Sequence, residues 1–159
     1  MSTELDRIDD LASTWVSAWT AEGGFETCCA PDIQYEDPLA PDPLRGVDDL
    51  ERHATRIREA LPDLRIERSG QALAHGVFAC IPWRAAGTHK TGTAALPATN
   101  RFVTLHGLHY LELADGEVRR ARGFYDLYDA ATQLGLLPAR GGLGESVLLL
   151  LRGFGLRAS

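Results

Sequence analysis

The sequence lacks several features on which large classes of enzymes and binding proteins depend. Only three of its 159 residues are cysteines, and two of them are adjacent, so we expect no disulfide framework and a reduced, cytoplasmic setting. No Cys/His cluster has the spacing of a zinc site, no glycine-rich phosphate loop follows a predicted strand, and no Gly-x-Ser-x-Gly elbow is present. We therefore expect neither a metal nor a cofactor.

Positive charge is also scarce. The 16 Lys and Arg residues are outnumbered by 22 Asp and Glu residues, which gives a net charge of -6. This balance argues against a nucleic-acid surface, which needs a basic patch, and against an anionic membrane surface. The N-terminus has no basic region followed by an apolar stretch, so no secretory signal is predicted. The apolar run at residues 147–151 is far shorter than the ~20 residues that span a bilayer, so no membrane span is predicted.

What the sequence does contain is the pattern of one α+β domain with a sizeable core. Apolar residues recur at helical spacing over residues 3–20 and 47–60, with a short helical piece at 26–30 and a strand that ends at Asp37. Residues 38–43 are rich in proline and are predicted to form a loop without regular structure. Strands are predicted over 64–68, 71–84, 102–113 and 117–125, and Asp126 is predicted to cap a helix that ends before Gly135. We expect a domain over residues 1–138 and an apolar tail over 139–159.

The candidate functional residue that stands out first is Asp37. Strand alternation places Asp37 on the same face as Ile33 and Tyr35, and places Gln34 and Glu36 on the other face. If that face points inward, burial would raise the pKa of Asp37 and make it a proton acceptor near neutral pH. The alternative is that Asp37 only caps a turn before Pro38, since Asp-Pro commonly begins turns.

Several short segments together carry a family resemblance. They are Trp15–Trp19, Tyr35–Pro38, Gly87–His89, Pro97–Arg101, Asp115–Val118 and Gln133–Pro138. In this order and spacing the segments resemble the SnoaL-like polyketide cyclase family over roughly residues 5–138. The resemblance implies the cone-shaped fold shared with nuclear transport factor 2, ketosteroid isomerase and scytalone dehydratase. In that fold three N-terminal helices close a curved antiparallel sheet around a deep apolar cavity. It also implies a homodimer. The apolar run in the tail, which lies outside the resemblance, is expected to pack on the core or on a partner subunit.

The resemblance assigns roles to three positions. The place of Asp37 holds the proton-transferring Asp in ketosteroid isomerases and commonly an Asn in the cyclases. A pocket His of the cyclases falls on His109, although a histidine satisfied within the core would look the same in the sequence. The principal acid/base Asp of the cyclases falls on Gly123, which can move no proton. This difference argues against an orthodox aldol cyclase mechanism.

Other residues are expected to shape the site. Gly123 on the last strand and Gly107 on the facing strand would enlarge the pocket, and Tyr125 would offer its hydroxyl to an oxyanion. Trp15 and Trp19 lie four residues apart on one helical face and would wall the cavity as well as fill the core. His53 lies beside the apolar stripe of its helix, and we favour a half-exposed position over one at the cavity mouth.

These residues lead to one expected function and two alternatives. We expect a cofactor-free enzyme that acts on a hydrophobic carbonyl compound, such as a polyketide or a steroid-like ring. Asp37 would take a proton next to the carbonyl, while His109 and Tyr125 hold the enolate oxygen. The first alternative is a binding module for an apolar small molecule without turnover. The second is an epoxide hydrolase or dehydratase of the same superfamily.

Overall fold

The computed structural model describes residues 4–93 and 96–153. The helices are α1 (Glu4–Trp19), α2 (Val47–Ala60), α3 (Leu127–Gln133) and α4 (Leu143–Gly153), with a 3-10 turn at Phe25–Thr27. The strands are β1 (Cys29–Asp37), β2 (Ala40–Arg45), β3 (Arg65–Arg68), β4 (Leu73–His75), β5 (Phe78–Thr88), β6 (Phe102–Ala114) and β7 (Glu117–Tyr125). The predicted α+β class is confirmed.

The strands form one open sheet in the order β2-β1-β7-β6-β5-β3, with β4 paired to β5. The sheet is mixed rather than wholly antiparallel, because β1 runs parallel to β7. This pairing joins the first strand in the sequence to the last and places β1 beside the β6–β7 hairpin. Alternation within a segment reports which residues share a face, but it carries no information about a partner strand so distant in sequence.

Three segments differ from their sequence predictions. The proline-rich stretch predicted as a loop contains β2, which pairs with β1 alone and lies at the edge of the sheet. An edge strand tolerates proline because the backbone groups on its outer side need no partner strand. The long strand predicted over residues 71–84 is instead the β4–β5 hairpin, which turns at Gly76, where φ is +60°. The short helical piece predicted at 26–30 is only one 3-10 turn, and β1 already begins at Cys29.

The hydrophobic core lies between the sheet and the helices α1 and α2. Its fully buried side chains come from helices and strands alike and include Trp15, Phe25, Ile33, Tyr35, Leu50, Ile81, Leu111 and Val118. In β1, the buried residues Ile33, Tyr35 and Asp37 alternate with partly exposed Gln34 and Glu36, as the sequence predicts. The inner face of the sheet therefore holds both the core and the candidate site.

The predicted C-terminal tail contains α4, whose described apolar side chains are exposed. Leu143, Val147, Leu149 and Leu150 are all more than half accessible. The end of the tail, residues 154–159, lies outside the described residues, and the packing expected of the tail stays a prediction. None of the described helices is both long enough and apolar enough to cross a membrane.

Candidate active site around Asp37

Strand β1 and the turn after it place Asp37 in the interior. The side chain is buried, and its Oδ1 accepts hydrogen bonds from the backbone amides of Leu39 and Ala40 at 2.7 and 2.8 Å. Its Oδ2 accepts from the hydroxyl of Tyr35 at 2.9 Å and from Nε2 of His53 at 2.8 Å. Asp37 therefore holds the turn into β2 and also faces the interior, so the turn interpretation and the buried position are both correct.

These donors determine the charge of Asp37. Burial acts to raise the pKa of the carboxyl group, as we expected from the sequence. The hydrogen bonds from His53, from Tyr35 and from the Leu39 amide, together with the attraction of His53, outweigh burial, and the pKa lies below its usual value. The predicted rise in pKa is wrong because the sequence shows the apolar neighbours of Asp37 but not its donors. Asp37 is consequently ionised at neutral pH.

His53 enters the site from α2. This helix begins after Gly46, and its inward face carries Leu50, His53 and Ala54, all buried. The preference for a half-exposed His53 is wrong, since only 8% of the residue is accessible. The sequence does contain a signal for burial of His53. It lies three residues after the apolar Leu50, and residues three apart share a helix face.

His109 is buried on β6 among aromatic rings. It stacks with Trp19 and with Trp83 at 5.3 Å between ring centroids, and meets Trp15 edge-on at 5.4 Å. Its Nε2 lies 3.4 Å from the hydroxyl oxygen of Tyr35. Burial lowers the pKa of His109 to about 3, against a smaller opposing effect of the Asp37 charge. His109 is therefore neutral at physiological pH. Trp83 is a part of this site that the sequence analysis did not single out, although Trp83 and His109 are both buried residues on paired strands.

The two predicted pocket glycines provide space that protein side chains occupy. A Cβ at Gly123 would lie 2.8 Å from the Tyr35 hydroxyl oxygen and 3.1 Å from Cβ of Asp37. A Cβ at Gly107 would collide with the indole ring of Trp83. The expectation that these glycines enlarge an open pocket is therefore corrected, since they allow Tyr35 and Trp83 to lie close against the sheet.

Tyr125, at the end of β7, completes the polar part of the site. Burial and, next, the charge of Asp37 raise the pKa of Tyr125 above its usual value. The same two causes raise the pKa of Tyr35. Both hydroxyl groups therefore keep their protons at neutral pH and are available as hydrogen-bond donors. The structure thus brings together all the predicted site residues on helices α1 and α2 and strands β1, β6 and β7.

His89 and His106 lie outside this site, as does His75 on β4. The Nδ1 atom of His89 contacts the Thr99 hydroxyl at 3.1 Å and accepts from the Thr99 amide at 3.2 Å, so His89 has a structural role. His106 is exposed on the face of β6 opposite to His109.

On the inner face beside Asp37, side chains approach the sheet closely at Gly107 and Gly123. A groove of about 530 Å³ lies on the outer face of the sheet, lined by Glu36, Tyr110 and Phe124 among others. Asp37 and His109 are not part of its lining. An apolar cavity beside Asp37 stays a prediction. Within the described residues, no group of three or more His, Cys, Asp or Glu side chains is arranged to hold a metal ion.

Comparisons with known proteins agree on a family and a fold. The family model described as SnoaL-like polyketide cyclase matches residues 9–134. A comparison of the sequence with curated proteins finds no match. Similar solved structures include AclR from Streptomyces galilaeus, with 19% identity, a TM-score of 0.72 and 94% of each chain covered. TsrD from Streptomyces laurentii has 19% identity and a TM-score of 0.73, over 86% of this chain and all (100%) of the other.

A third similar structure names the fold directly. A Catenulispora acidiphila protein described as having a ketosteroid isomerase-like fold has 18% identity and a TM-score of 0.66. The match covers 80% of this chain and 93% of that one. At these identities the structural likeness shows the fold alone.

Proposed function

Because the chain belongs to the SnoaL-like polyketide cyclase family, we propose that it is a cofactor-free enzyme that enolises a hydrophobic carbonyl compound, such as a polyketide or a steroid-like ring. The observation that carries the proposal is an ionised, buried Asp37 with two protonated tyrosine hydroxyls beside it. Abstraction of a proton next to a carbonyl needs an anionic acceptor and, close to it, neutral donors for the enolate oxygen. Both are present on the same inner face.

In the proposed reaction Asp37 is the base. Its Oδ2 takes the proton from the carbon next to the carbonyl, and that carbon's electron pair moves to the carbonyl oxygen to give the enolate. Oδ2 already accepts from Tyr35 and His53, so one of these donors has to leave before a proton can arrive. The Tyr35 hydroxyl can turn from Oδ2 to the enolate oxygen. The negative charge passes from Asp37 to that oxygen in the same step, so the hydroxyl continues to donate to the charged group. Tyr125 is the second donor to that oxygen.

His53 has a positioning role in this scheme. Its Nε2 donates to Oδ2, which fixes the carboxylate and keeps it ionised before substrate enters. The Leu39 and Ala40 amides fix the other oxygen. A carboxylate held in this way has little freedom to move, so the proton acceptor is already in place when the substrate binds.

The enolate formed in this way has several fates. It can be reprotonated elsewhere as in an isomerase, attack a second carbonyl as in a cyclase, or eliminate water. These outcomes share the first proton transfer, so the proposal concerns that step.

Turnover of a β,γ-unsaturated steroid ketone by wild-type protein and by Asp37→Asn tests the proposal. The variant keeps the shape of the side chain and removes the base, so we expect turnover to fall by about 10²- to 10⁴-fold. Asp126→Asn is the matched control, because Asp126 is an exposed helix cap at the end of β7 and asparagine caps helices equally well. Full turnover by Asp37→Asn would contradict the proposal.

A second candidate function is supported by the number of hydrogen bonds that Asp37 accepts from the protein. Each carboxylate oxygen already accepts two hydrogen bonds from the protein, and the lowered pKa makes Asp37 a weaker base. Both features suit a structural carboxylate in a binding module that holds an apolar ligand without turnover. A tightly bound apolar molecule in native mass spectra, with no Asp37-dependent turnover, would favour this function.

The epoxide hydrolase alternative has less support. Epoxide hydrolysis of this kind requires two aspartates and an arginine that together activate a water molecule. Among the described residues no arginine forms a hydrogen bond or ion pair with Asp37. A dehydratase remains within the leading proposal, as one fate of the enolate.

We also propose a cytoplasmic homodimer. Three free cysteines suit a reducing compartment. The outer face of the sheet exposes Phe78, Tyr110 and Phe124, and α4 exposes apolar side chains, so both surfaces are candidates for contact between subunits. Sedimentation of the full chain and of a chain ending at Pro138 tests the role of the tail. An equally stable dimer without the tail would show that the tail does not contribute to contact between subunits.

A further inference from the structure

The two adjacent cysteines at the start of β1 bring their sulfur atoms into contact. Cys28 follows the 3-10 turn, Cys29 begins β1, and both side chains are buried. Neighbouring residues within a strand point to opposite faces. Cys28 departs from strand geometry, with φ at −135° and ψ at −6°, and the two Sγ atoms lie 3.8 Å apart. The pair is therefore a preformed dithiol, and the proposed reaction at Asp37 does not use it.

Hydrogen bonds make the two sulfurs of the pair different. The Cys28 thiol donates to the carbonyl oxygen of Phe25 at 3.7 Å, so Cys29 is the donor in the contact between the sulfurs. The hydrogen bond from Cys29 lowers the pKa of Cys28, against the opposing effects of burial and of the Glu26 charge. The same hydrogen bond and, next, burial raise the pKa of Cys29. Cys28 is therefore the sulfur that more readily becomes a thiolate, which is the nucleophilic form.

A groove of about 570 Å³ gives small molecules a route to the pair. Its lining includes Cys29, four carboxylates and two arginines. Two of these carboxylates, Glu26 and Glu117, also act by their charge on the Cys29 thiol. Negative charge beside the sulfurs disfavours an anionic oxidant, and exposed fractions of 5% for Cys28 and 3% for Cys29 admit only a small one. A small neutral hydroperoxide meets both conditions.

We propose that Cys28 and Cys29 form a redox-active dithiol that a hydroperoxide such as hydrogen peroxide oxidises to a disulfide. The Cys28 thiolate attacks one peroxide oxygen and the O–O bond breaks. The released hydroxide takes up the proton that Cys28 lost, which gives water and a sulfenic acid on Cys28. The Cys29 sulfur then attacks the Cys28 sulfur, the S–S bond forms, and the S–O bond breaks with loss of a second water that carries the Cys29 proton. The dithiol loses two electrons, and the peroxide gains them.

The disulfide between adjacent residues should be easy to reduce. Neighbouring Cα atoms are about 3.8 Å apart across a trans peptide, whereas disulfides usually join Cα atoms roughly 4.4–6.8 Å apart. A disulfide closed outside that range is strained and more readily reduced, and disulfides of this labile kind are typically regulatory. A small thiol should therefore restore the dithiol, which makes the modification reversible.

Oxidation would act on the contact between β1 and β7. The peptide unit that joins Cys28 to Cys29 is part of the ring that the disulfide closes. The carbonyl oxygen of this unit accepts from the Val118 amide at 2.8 Å, where the parallel contact of β1 with β7 begins. The sulfurs have to move from 3.8 Å to the about 2.05 Å of a disulfide, which requires this unit to rotate. Oxidation should therefore weaken the hydrogen bond to Val118 and loosen the start of β1.

Brief treatment of the full-length wild-type protein with one equivalent of hydrogen peroxide tests the proposal. Remaining thiols are then blocked with iodoacetamide under denaturing conditions, and peptide mass spectrometry locates the modified cysteines. We expect the Cys28–Cys29 peptide to lose two hydrogen atoms and to carry no blocking group, and we expect dithiothreitol to restore both thiols. Cys80 on β5 is the internal comparison. The pair should react at least roughly tenfold faster than Cys80.

Serine variants of the three cysteines provide the matched controls. Cys80→Ser should keep the reaction, whereas Cys28→Ser and Cys29→Ser should each abolish the disulfide. If either of the latter two variants fails to fold, the peptide map of the wild-type protein still decides. A lasting sulfenic or sulfinic acid without the disulfide, a disulfide to Cys80, or a pair that reacts no faster than Cys80 would overturn the proposal.

Hydrogen exchange of the oxidised and reduced proteins tests the structural consequence. We expect the Val118 amide to exchange faster after oxidation, while amides in the pairing of β5 with β6 keep their protection. Unchanged exchange at Val118 in the oxidised protein would contradict the effect on β1 and β7. The inference does not depend on the proposed function, because neither cysteine belongs to the site around Asp37, and loss of turnover in Asp37→Asn leaves its test unaffected.

Discussion

Asp37 and His109 are both buried, but at neutral pH Asp37 is charged and His109 is neutral. Burial disfavours the charged form of both. Asp37 keeps its charge because four donors surround it, whereas the only described hydrogen-bond contact of the His109 ring is with Tyr35. The two side chains therefore form a charged acceptor and a neutral ring within one network at neutral pH.

This difference predicts how stability depends on pH. The pKa of His109 falls to about 3 in the folded protein, from 6.5 for a free histidine. Below pH 6.5 the unfolded chain binds a proton at His109 that the folded chain does not, so the free energy of unfolding decreases as the pH falls, until about pH 3. Between pH 6.5 and 5 we expect His109 to account for a loss of roughly 2 kcal/mol, at about 1.4 kcal/mol per pH unit.

Urea unfolding of wild type and of His109→Gln at pH 6.5 and 5 measures this loss. Asp37 has a lowered pKa, so its contribution is lost only at lower pH, as the carboxylate begins to be protonated, and it does not interfere in this range. The variant should lose less stability than wild type over the same interval. Equal losses would show that His109 is not kept neutral by the fold.

Most members of the site were predictable at the residue scale, but their interactions were not. Strand alternation placed Tyr35 with Asp37, and the resemblance pointed to His109. The direction of the Asp37 pKa shift was missed, because three of its four donors come from the following turn and from α2. His53 was misplaced because a histidine was counted as polar within an otherwise apolar helix face.

At the scale of elements, the pairing of β6 with β7 determines how closely side chains approach the sheet. Gly107 lies opposite Tyr125 and His109 lies opposite Gly123. Each glycine leaves the space above the strand to a side chain from a neighbouring strand, Trp83 at Gly107 and Tyr35 at Gly123. The fixed position of the Tyr35 hydroxyl thus depends on the absence of a side chain on β7.

Gly123→Ala tests this dependence. The new methyl group would lie 2.8 Å from the Tyr35 hydroxyl oxygen, so Tyr35 has to move and its hydrogen bond to Asp37 weakens. We expect a loss of about 1–3 kcal/mol in the free energy of unfolding, which thermal or urea denaturation measures. Gly23→Ala is the control, since its Cβ would meet nothing closer than 4.0 Å. Unchanged stability of Gly123→Ala would show that Tyr35 is not confined by β7.

Elements defined by local patterns were predictable, and elements defined by distant partners were less so. Helices α1 and α2, strands β6 and β7 and the Asp126 cap match their predicted positions closely, because periodicity and capping are encoded locally. Strand β2 was missed because its prolines indicate a loop unless the edge position is known. The parallel contact of β1 with β7 has no local signature.

At the scale of the whole molecule, the fold places a charged site on the same inner face as the hydrophobic core. The helices α1 and α2 cover that face and contribute Trp15, Trp19 and His53, while the sheet contributes the remaining site residues. Family membership and fold were foreseeable from ordered short motifs. The close approach of Trp83 and Tyr35 to the sheet at the two glycines was not, because it depends on contacts between neighbouring strands.

The most direct test of proton abstraction by Asp37 is deuterium exchange at the carbon next to the carbonyl of a hydrophobic ketone such as 2-tetralone, followed by NMR in D₂O. This measurement detects the first step whatever the enolate does next. We predict exchange by wild-type protein above the buffer rate, retained in Asp126→Asn and reduced to the buffer rate in Asp37→Asn. Equal exchange by wild type and Asp37→Asn would contradict the account.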